Sequence, residues 1–341
     1  MKRHFLALDG LRGIAAFAVM FMHGLGIFWP GGFSIPAALA VDFFFMLSGF
    51  VLAYAYGERL ERGLSWRRFM AQRLIRLYPV IFLGVMLGAA VSFAKQWQQG
   101  ITIAEEGLPE LVATLFILPA GLPYSGLFFD GPSMFSFDGP MWSLFFEIAA
   151  SAAFATAVRR SANLPALLAI SAILIAGSIW HGTVGEFGTR GWVGFAFGFP
   201  RVAVPFAIGV TLYRSGAWQR FGVPFPLTAG ALALLLLVPM RTVWPYDLAC
   251  IFLLFPALIV VGAQGLGGWI CVWLGRLSYP VYLLHFPIFR IVGFVVKGYF
   301  PNPFALIALS IAATVLGSWL ALVLYDEPVR RKLNRKIVHA P

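Results

Sequence analysis

The chain has 341 residues, 60% of them hydrophobic and only 11% charged, with a mean hydropathy of +0.84. Soluble domains carry about a quarter charged residues, so a soluble enzyme is excluded and a polytopic membrane protein is indicated. The net charge of +11 would suit a nucleic-acid partner, but the order of the charges along the chain marks them as a membrane-topology signal.

Ten apolar segments follow one another, at 5–28, 38–56, 75–94, 140–158, 164–180, 192–213, 224–240, 246–263, 273–296 and 303–325. Each is near the length a helix needs to cross about 30 Å of hydrocarbon. The expected fold is all-α, a bundle of about ten transmembrane helices forming one integral-membrane domain over residues 1–341. The first segment is too long, and too soon followed by another, for a cleaved signal peptide. Lys2 and Arg3 precede it, Arg59 to Arg76 fill the second connection, and Arg159 and Arg160 end the fourth segment. Arg214 and Arg220 follow the sixth, Arg276 precedes the ninth, and Arg330, Arg331, Lys332, Arg335 and Lys336 form the tail. Cytoplasmic loops are enriched in Lys and Arg. With the N-terminus inside, all of these fall on the cytoplasmic side, and ten crossings return the C-terminus there. The expected partner is the bilayer, not nucleic acid. One further apolar piece, Leu108 to Pro119, is too short to cross. It reads as a re-entrant or interfacial element within an outward excursion over 95–139. Cys250 and Cys271 fall in or beside apolar runs and read as buried free thiols.

Ionisable residues inside such segments are costly and mark function by default. Arg12 and His23 share the first helix. Eleven residues separate them, about 16 Å and close to three full turns, so both point to one side. The topology places His23 in the outer third and Arg12 nearer the cytoplasm. It places Asp42 of the second segment, and Trp142 and Glu147 of the fourth, in the outer part as well. A carboxylate beside an imidazole favours its charged form and orients it as a base. Single interhelical hydrogen bonds that fix packing are the plainer reading of each. Arg73 and Arg76 are three apart on one helical face, the spacing of a paired phosphate site or of an ordinary cytoplasmic anchor. Ser278 and Tyr279 open the ninth segment and are placed to touch the same ligand. His285 lies midway along it, as a cavity-lining substrate contact or as packing. Trp29, Trp142, Phe128 and Phe129 are outer aromatics that suit either sugar stacking or an interface belt. The histidines show no metal-ligand spacing, so no metal is expected.

Six elements in order resemble the membrane-bound acyltransferase 3 family. LDGLRGIAAFAVMFMH carries its Arg-x10-His element as Arg12 and His23, and VDFFFMLSGFVLA its second-helix signature with Asp42, Ser48 and Gly49. RRFMAQRLIRLYP carries the Arg-x-x-Arg element as Arg73 and Arg76, and GPMWSLFFEI the Trp-Ser-x-x-x-Glu element as Trp142, Ser143 and Glu147. LSYPVYLLHFPI holds Ser278, Tyr279, Tyr282 and His285, and YDEPVRRKL resembles the family's last-helix ending. The resemblance implies a bacterial inner-membrane enzyme that moves an acyl group, mostly acetyl, from acyl-coenzyme A to a hydroxyl of a carbohydrate or lipid-linked glycan. The expected catalytic residues are His23, Glu147 and Asp42, with His23 either the general base on the acceptor hydroxyl or a transient carrier of the acyl group. The expected donor residues are Arg12, Arg73, Arg76, Ser278 and Tyr279, and the acceptor contacts are Trp142 and His285. The alternative is a proton-coupled transporter or flippase, since buried ionisable groups also mark ion pathways.

Overall fold

In the computed structural model the described residues are 4–98, 107–120, 134–157, 164–185, 187–188, 191–241, 243–296, 298–299 and 302–338. Lys2, Arg3, Phe128, Phe129, Arg159 and Arg160 lie outside them. The described chain is helical, without strands. Its elements are α1 (Leu6–Phe28), α2 (Pro36–Glu61), α3 (Trp66–Gln98), α4 (Gly107–Leu115), α5 (Met141–Ala157), α6 (Leu164–His181), α7 (Gly191–Ser215), α8 (Phe225–Leu237), α9 (Trp244–Ala263), α10 (Trp269–Val296) and α11 (Pro303–Arg335). Seven of these (α1, α2, α3, α7, α9, α10 and α11) are long and apolar enough to cross a membrane, and α5, α6 and α8 are shorter apolar helices. Together they account for the ten segments read from the sequence. Single turns of π-helix interrupt α2 at Ala53–Gly57, α9 at Cys250–Leu254 and α11 at Ala321–Asp326.

Contacts along neighbouring helices give their relative directions. Arg12 meets Ser278 and His23 meets His285, so α1 and α10 run parallel. Tyr279 meets Leu77 and Arg290 meets Ser92, so α3 runs with them. Asp42 meets Arg201, and Gly49 meets Phe206, so α2 and α7 are parallel too. By contrast α9 ends at Gly262 against Leu8 and Leu11, where α1 begins, and Trp29 at the end of α1 meets Phe304 at the start of α11. α1, α3 and α10, the first, third and ninth segments, thus share one direction, and α9 and α11, the eighth and tenth, run the other way, as alternating crossings require. α4 lies beside α3: Gly107 faces Phe93, and Tyr78 donates a hydrogen bond to the Leu115 carbonyl at 3.2 Å. Its nine residues span only about 14 Å, so it enters beside α3 without crossing.

Two close approaches depend on missing side chains. A Cβ on Gly49 would sit 2.0 Å from the Phe206 carbonyl oxygen, and one on Gly209 1.9 Å from that of Met46. Small residues let membrane helices meet backbone to backbone, and here they press α2 onto α7. Boundaries differ from the sequence reading chiefly at α3, which begins at Trp66 instead of about 75. The Ser65 hydroxyl accepts from the Arg68 N–H at 3.3 Å and caps the helix, so the basic run becomes its first turns. Arg73 is therefore buried within the helix and not at its start.

Candidate functional site

α1 and α10 bring two histidines together. His23 Nδ1 lies 2.9 Å from His285 Nε2, and the rings stand 4.9 Å apart with 27° between their planes. His285 is fully buried and His23 is partly exposed. Phe286 packs edge-on to His23 and Phe289 edge-on to His285. His285 Nδ1 lies 3.0 Å from the Val281 carbonyl, one turn back on its own helix. The Val19 carbonyl, one turn back on α1, is a further acceptor in reach of the His23 ring. The pair sits among apolar rings, with its two facing nitrogens close enough to share a proton.

The grouping of His23, Asp42 and Glu147 at one depth is corrected by the structure. Asp42 is fully buried and both its oxygens are taken by Arg201, at 3.1 Å from Nε and 3.0 Å from Nη2. Arg201 also donates to the carbonyls of Gly185, Phe187 and Ala38. A guanidinium has five N–H donors, and all five are used. Its face rests 5.0 Å from the centroid of the Trp142 ring, so the ring expected to contact the acceptor also carries a cation. Glu147 lies elsewhere. It accepts from the Ser48 hydroxyl at 2.5 Å and pairs with Arg73. Ser48 follows Asp42 by six residues on α2, about 9 Å along the axis, toward the end where the basic residues gather. The correction has a physical cause: a charge in an apolar helix bundle is stable with a counterion, and each carboxylate found an arginine before it found the imidazole.

The basic residues converge on α1, α3 and α11. Arg12 donates from Nε to the Ser278 hydroxyl at 2.9 Å and from Nη2 to the Gly275 carbonyl at 2.8 Å, and faces Asp9 at 3.2 Å. Arg330 pairs with Asp326 at 2.9 Å, one turn from the π-helical turn of α11. Arg73 is held by Glu147. Arg76 is exposed, with Arg12, Arg73 and Arg330 near enough for their charges to bear on it. Among the described residues it has no ion pair or hydrogen bond. The two arginines of the Arg-x-x-Arg element thus differ: Arg73 is buried in an ion pair with Glu147, and Arg76 is exposed without one among the described residues. Ser278 and Tyr279 are hydrogen-bonded within this cluster. Ser278 donates to Gly275 while accepting from Arg12, and Tyr279 donates to the Leu77 carbonyl of α3 at 2.6 Å.

α10 connects the two ends. Gly275, Ser278, Tyr282 and His285 recur at helical spacing along it, and Tyr282 shares a 2.7 Å hydrogen bond with Ser143 of α5. The sequence reading passed over Arg201 and a second buried cation on α10. Arg290 donates to the carbonyls of Ser136 and Phe137 and to the Ser92 hydroxyl. Asp138 is buried close by, with neither carboxylate oxygen hydrogen-bonded among the described residues. Both arginines sit inside apolar segments, so the rule that singled out Arg12 would have found them.

The acyltransferase 3 family model, described as "Acyltransferase domain", matches residues 5–323. A protein of Rhizobium radiobacter, "Protein 2 in picA locus", is 35% identical over 183 residues, covering 50% of this chain and 92% of the relative. "Acyltransferase MdmB" of Streptomyces mycarofaciens is 25% identical over an alignment of 376 residues, covering 97% of this chain and 92% of the relative. No solved structure matches the chain.

Proposed function

Because the chain belongs to the acyltransferase 3 family, and is a multi-pass membrane acyltransferase, we propose that it moves an acyl group from cytoplasmic acyl-coenzyme A to a hydroxyl of a carbohydrate or lipid-linked glycan. The acyl group is acetyl in the simplest case, and transfer takes place toward the periplasmic face of a bacterial inner membrane. The observation that carries this reading is the parallel pairing of α1 with α10. It keeps Arg12 against Ser278 at one end and His23 against His285 at the other, with the two levels about 16 Å apart.

Phosphate groups of the donor dock on Arg76, with Arg12 behind it, because an exposed guanidinium without a counterion binds phosphate oxygens best. The thioester then reaches along α10 past Tyr282. His23 takes the proton of the acceptor hydroxyl as its oxygen bonds to the thioester carbonyl carbon. The carbon–sulfur bond breaks, and the leaving thiolate takes the proton back. General base catalysis of this kind contributes about 10²–10⁴-fold. Asp42 and Glu147 act through the frame: Asp42 anchors Arg201 and Trp142, and Glu147 anchors Arg73. The transporter alternative is disfavoured by the same contacts, since both carboxylates are locked by arginines instead of lying in line with the histidines.

The test is transfer of label from acetyl-coenzyme A to envelope glycans in membranes containing the protein, without a proton gradient. His23→Ala should abolish transfer while the variant remains folded. Full transfer by that variant, or transfer that requires the gradient, refutes the proposal.

A further inference from the structure

Two imidazoles in contact constrain each other's protons. We infer that His285 is a positioning residue that fixes the tautomer of His23, leaving His23 Nε2 as the nitrogen that receives the acceptor's proton. This rests on the acyl-transfer reading above.

The Val281 carbonyl fixes the first proton. A carbonyl oxygen only accepts, so His285 Nδ1, 3.0 Å away, carries a proton. His285 is fully buried. Asp42 is held by Arg201, and Glu147 by Arg73 and Ser48. A second proton on His285 would create a buried cation without a counterion, which is strongly unfavourable. The ring is therefore neutral and its Nε2 bears only a lone pair. His23 Nδ1 stands 2.9 Å from that lone pair. Two bare nitrogens would repel, so His23 Nδ1 carries the hydrogen. A neutral imidazole has one N–H, and His23 Nε2 is left with its lone pair free.

The packing keeps this order. Phe286 holds the His23 ring from one side, with centroids 5.7 Å apart, and Phe289 and Tyr282 flank His285 at 5.9 and 6.2 Å. A flip of either ring would break a hydrogen bond in this apolar setting. The same contact acts during turnover. When Nε2 takes the hydroxyl proton, His23 becomes cationic, and its Nδ1–H bond to His285 strengthens because charge-assisted bonds are the stronger ones. When Nε2 returns the proton to the thiolate, the pair is restored. His285 thus fills the orienting place behind a base, as a neutral acceptor.

Two variants and one spectroscopic reading test this in the whole 341-residue chain. His285→Phe keeps a ring but removes the acceptor; His285→Gln restores an acceptor oxygen within reach of Nδ1–H. With labelled acetyl-coenzyme A and membrane glycans, His285→Phe should lower the apparent kcat by about 10–100-fold, the usual effect of a misplaced catalytic group, with KM for the donor unchanged. His285→Gln should recover most of that loss. Nitrogen-15 spectra of histidine-labelled protein should show His23 protonated at Nδ1 and bare at Nε2. A His285→Phe variant with wild-type kcat, a folded Gln variant as impaired as the Phe variant, or a His23 protonated at Nε2 would each overturn the inference. The spectra do not depend on transfer. A wild-type protein with the stated tautomer and no acyl transfer would sustain the assignment and refute the acyltransferase reading.

Discussion

Replacing Arg201 with methionine strands Asp42 in the interior of the bundle. The variant loses both bonds to the carboxylate and leaves the carbonyls of Ala38, Gly185 and Phe187 without those donors. Removing one partner of a buried ion pair destabilises by about 3–5 kcal/mol. At about 2.1 cal/mol/K per residue, unfolding of a chain this long carries roughly 0.7 kcal/mol/K of entropy, so the melting temperature should fall by about 4–7 °C. Asp42→Asn should also lower it, because Arg201 then lacks its counterion. The double variant should fall by less than the two single losses combined, since each single change leaves a charge exposed to an apolar interior that the double change removes. The assay is thermal unfolding of purified protein in detergent, paired with acyl transfer per folded molecule at a temperature well below the transition. Transfer by the folded fraction of Asp42→Asn should stay near wild type. If Asp42→Asn melts like wild type but loses transfer, Asp42 acts in the chemistry and the frame assignment is wrong.

The two arginines of α3 should separate. Arg76→Gln should weaken acyl-coenzyme A binding by about tenfold or more, as expected for a lost charged hydrogen bond, with melting unchanged; calorimetric titration measures it. Arg73→Gln should instead lower the melting temperature by leaving Glu147 without its cation. Gly209→Val places side-chain atoms where a Cβ already comes within 1.9 Å of the Met46 carbonyl, so the α2–α7 contact must open and folded yield on gel filtration should collapse. Burial pushes the Asp138 carboxyl well above the ordinary carboxylate range, with the Arg290 charge opposing it. The folded protein therefore holds this proton to higher pH than the unfolded chain does. The stability it lends is complete at low pH and declines as pH rises from the ordinary carboxylate pKa toward the folded one. Asp138→Asn should flatten the part of the melting profile that lies above the ordinary carboxylate pKa, and an unchanged slope would place the titration elsewhere.

Segment order and relative direction were legible in the sequence because hydrocarbon thickness fixes segment length and consecutive crossings alternate in direction. The start of α3 was not, since a capped, arginine-rich stretch continues a helix as readily as it ends a membrane span. In the site, Arg12 and His23 could be placed on one side of one helix from spacing alone. Their partners could not. Spacing within a segment says nothing of which segment lies next to it, and α10, which supplies Ser278 and His285, is more than 240 residues away from α1 in the chain. Depth from topology also failed to separate Asp42 from Glu147, because an uncertainty of a few residues in each boundary equals the 9 Å or so between their levels.

The spacing of Arg12 and His23 gains its meaning from the helix beside them. Seven residues separate Ser278 from His285, about 10 Å, against about 16 Å between the two residues of α1. The shorter interval suffices because the long Arg12 side chain reaches Ser278 and Gly275, while the His23 ring meets His285 directly. A shift of α10 by one turn along α1 would move the second imidazole about 5 Å from the first and break the tautomer order, while Arg12 could follow its partner with its flexible stem. The packing that prevents such a shift is local: a Cβ on Gly13 would meet Leu274 at 2.5 Å, and one on Gly24 would meet Phe289 at 3.1 Å. These two glycines directly follow Arg12 and His23 on α1 and fix the register in which one histidine can set the proton of the other.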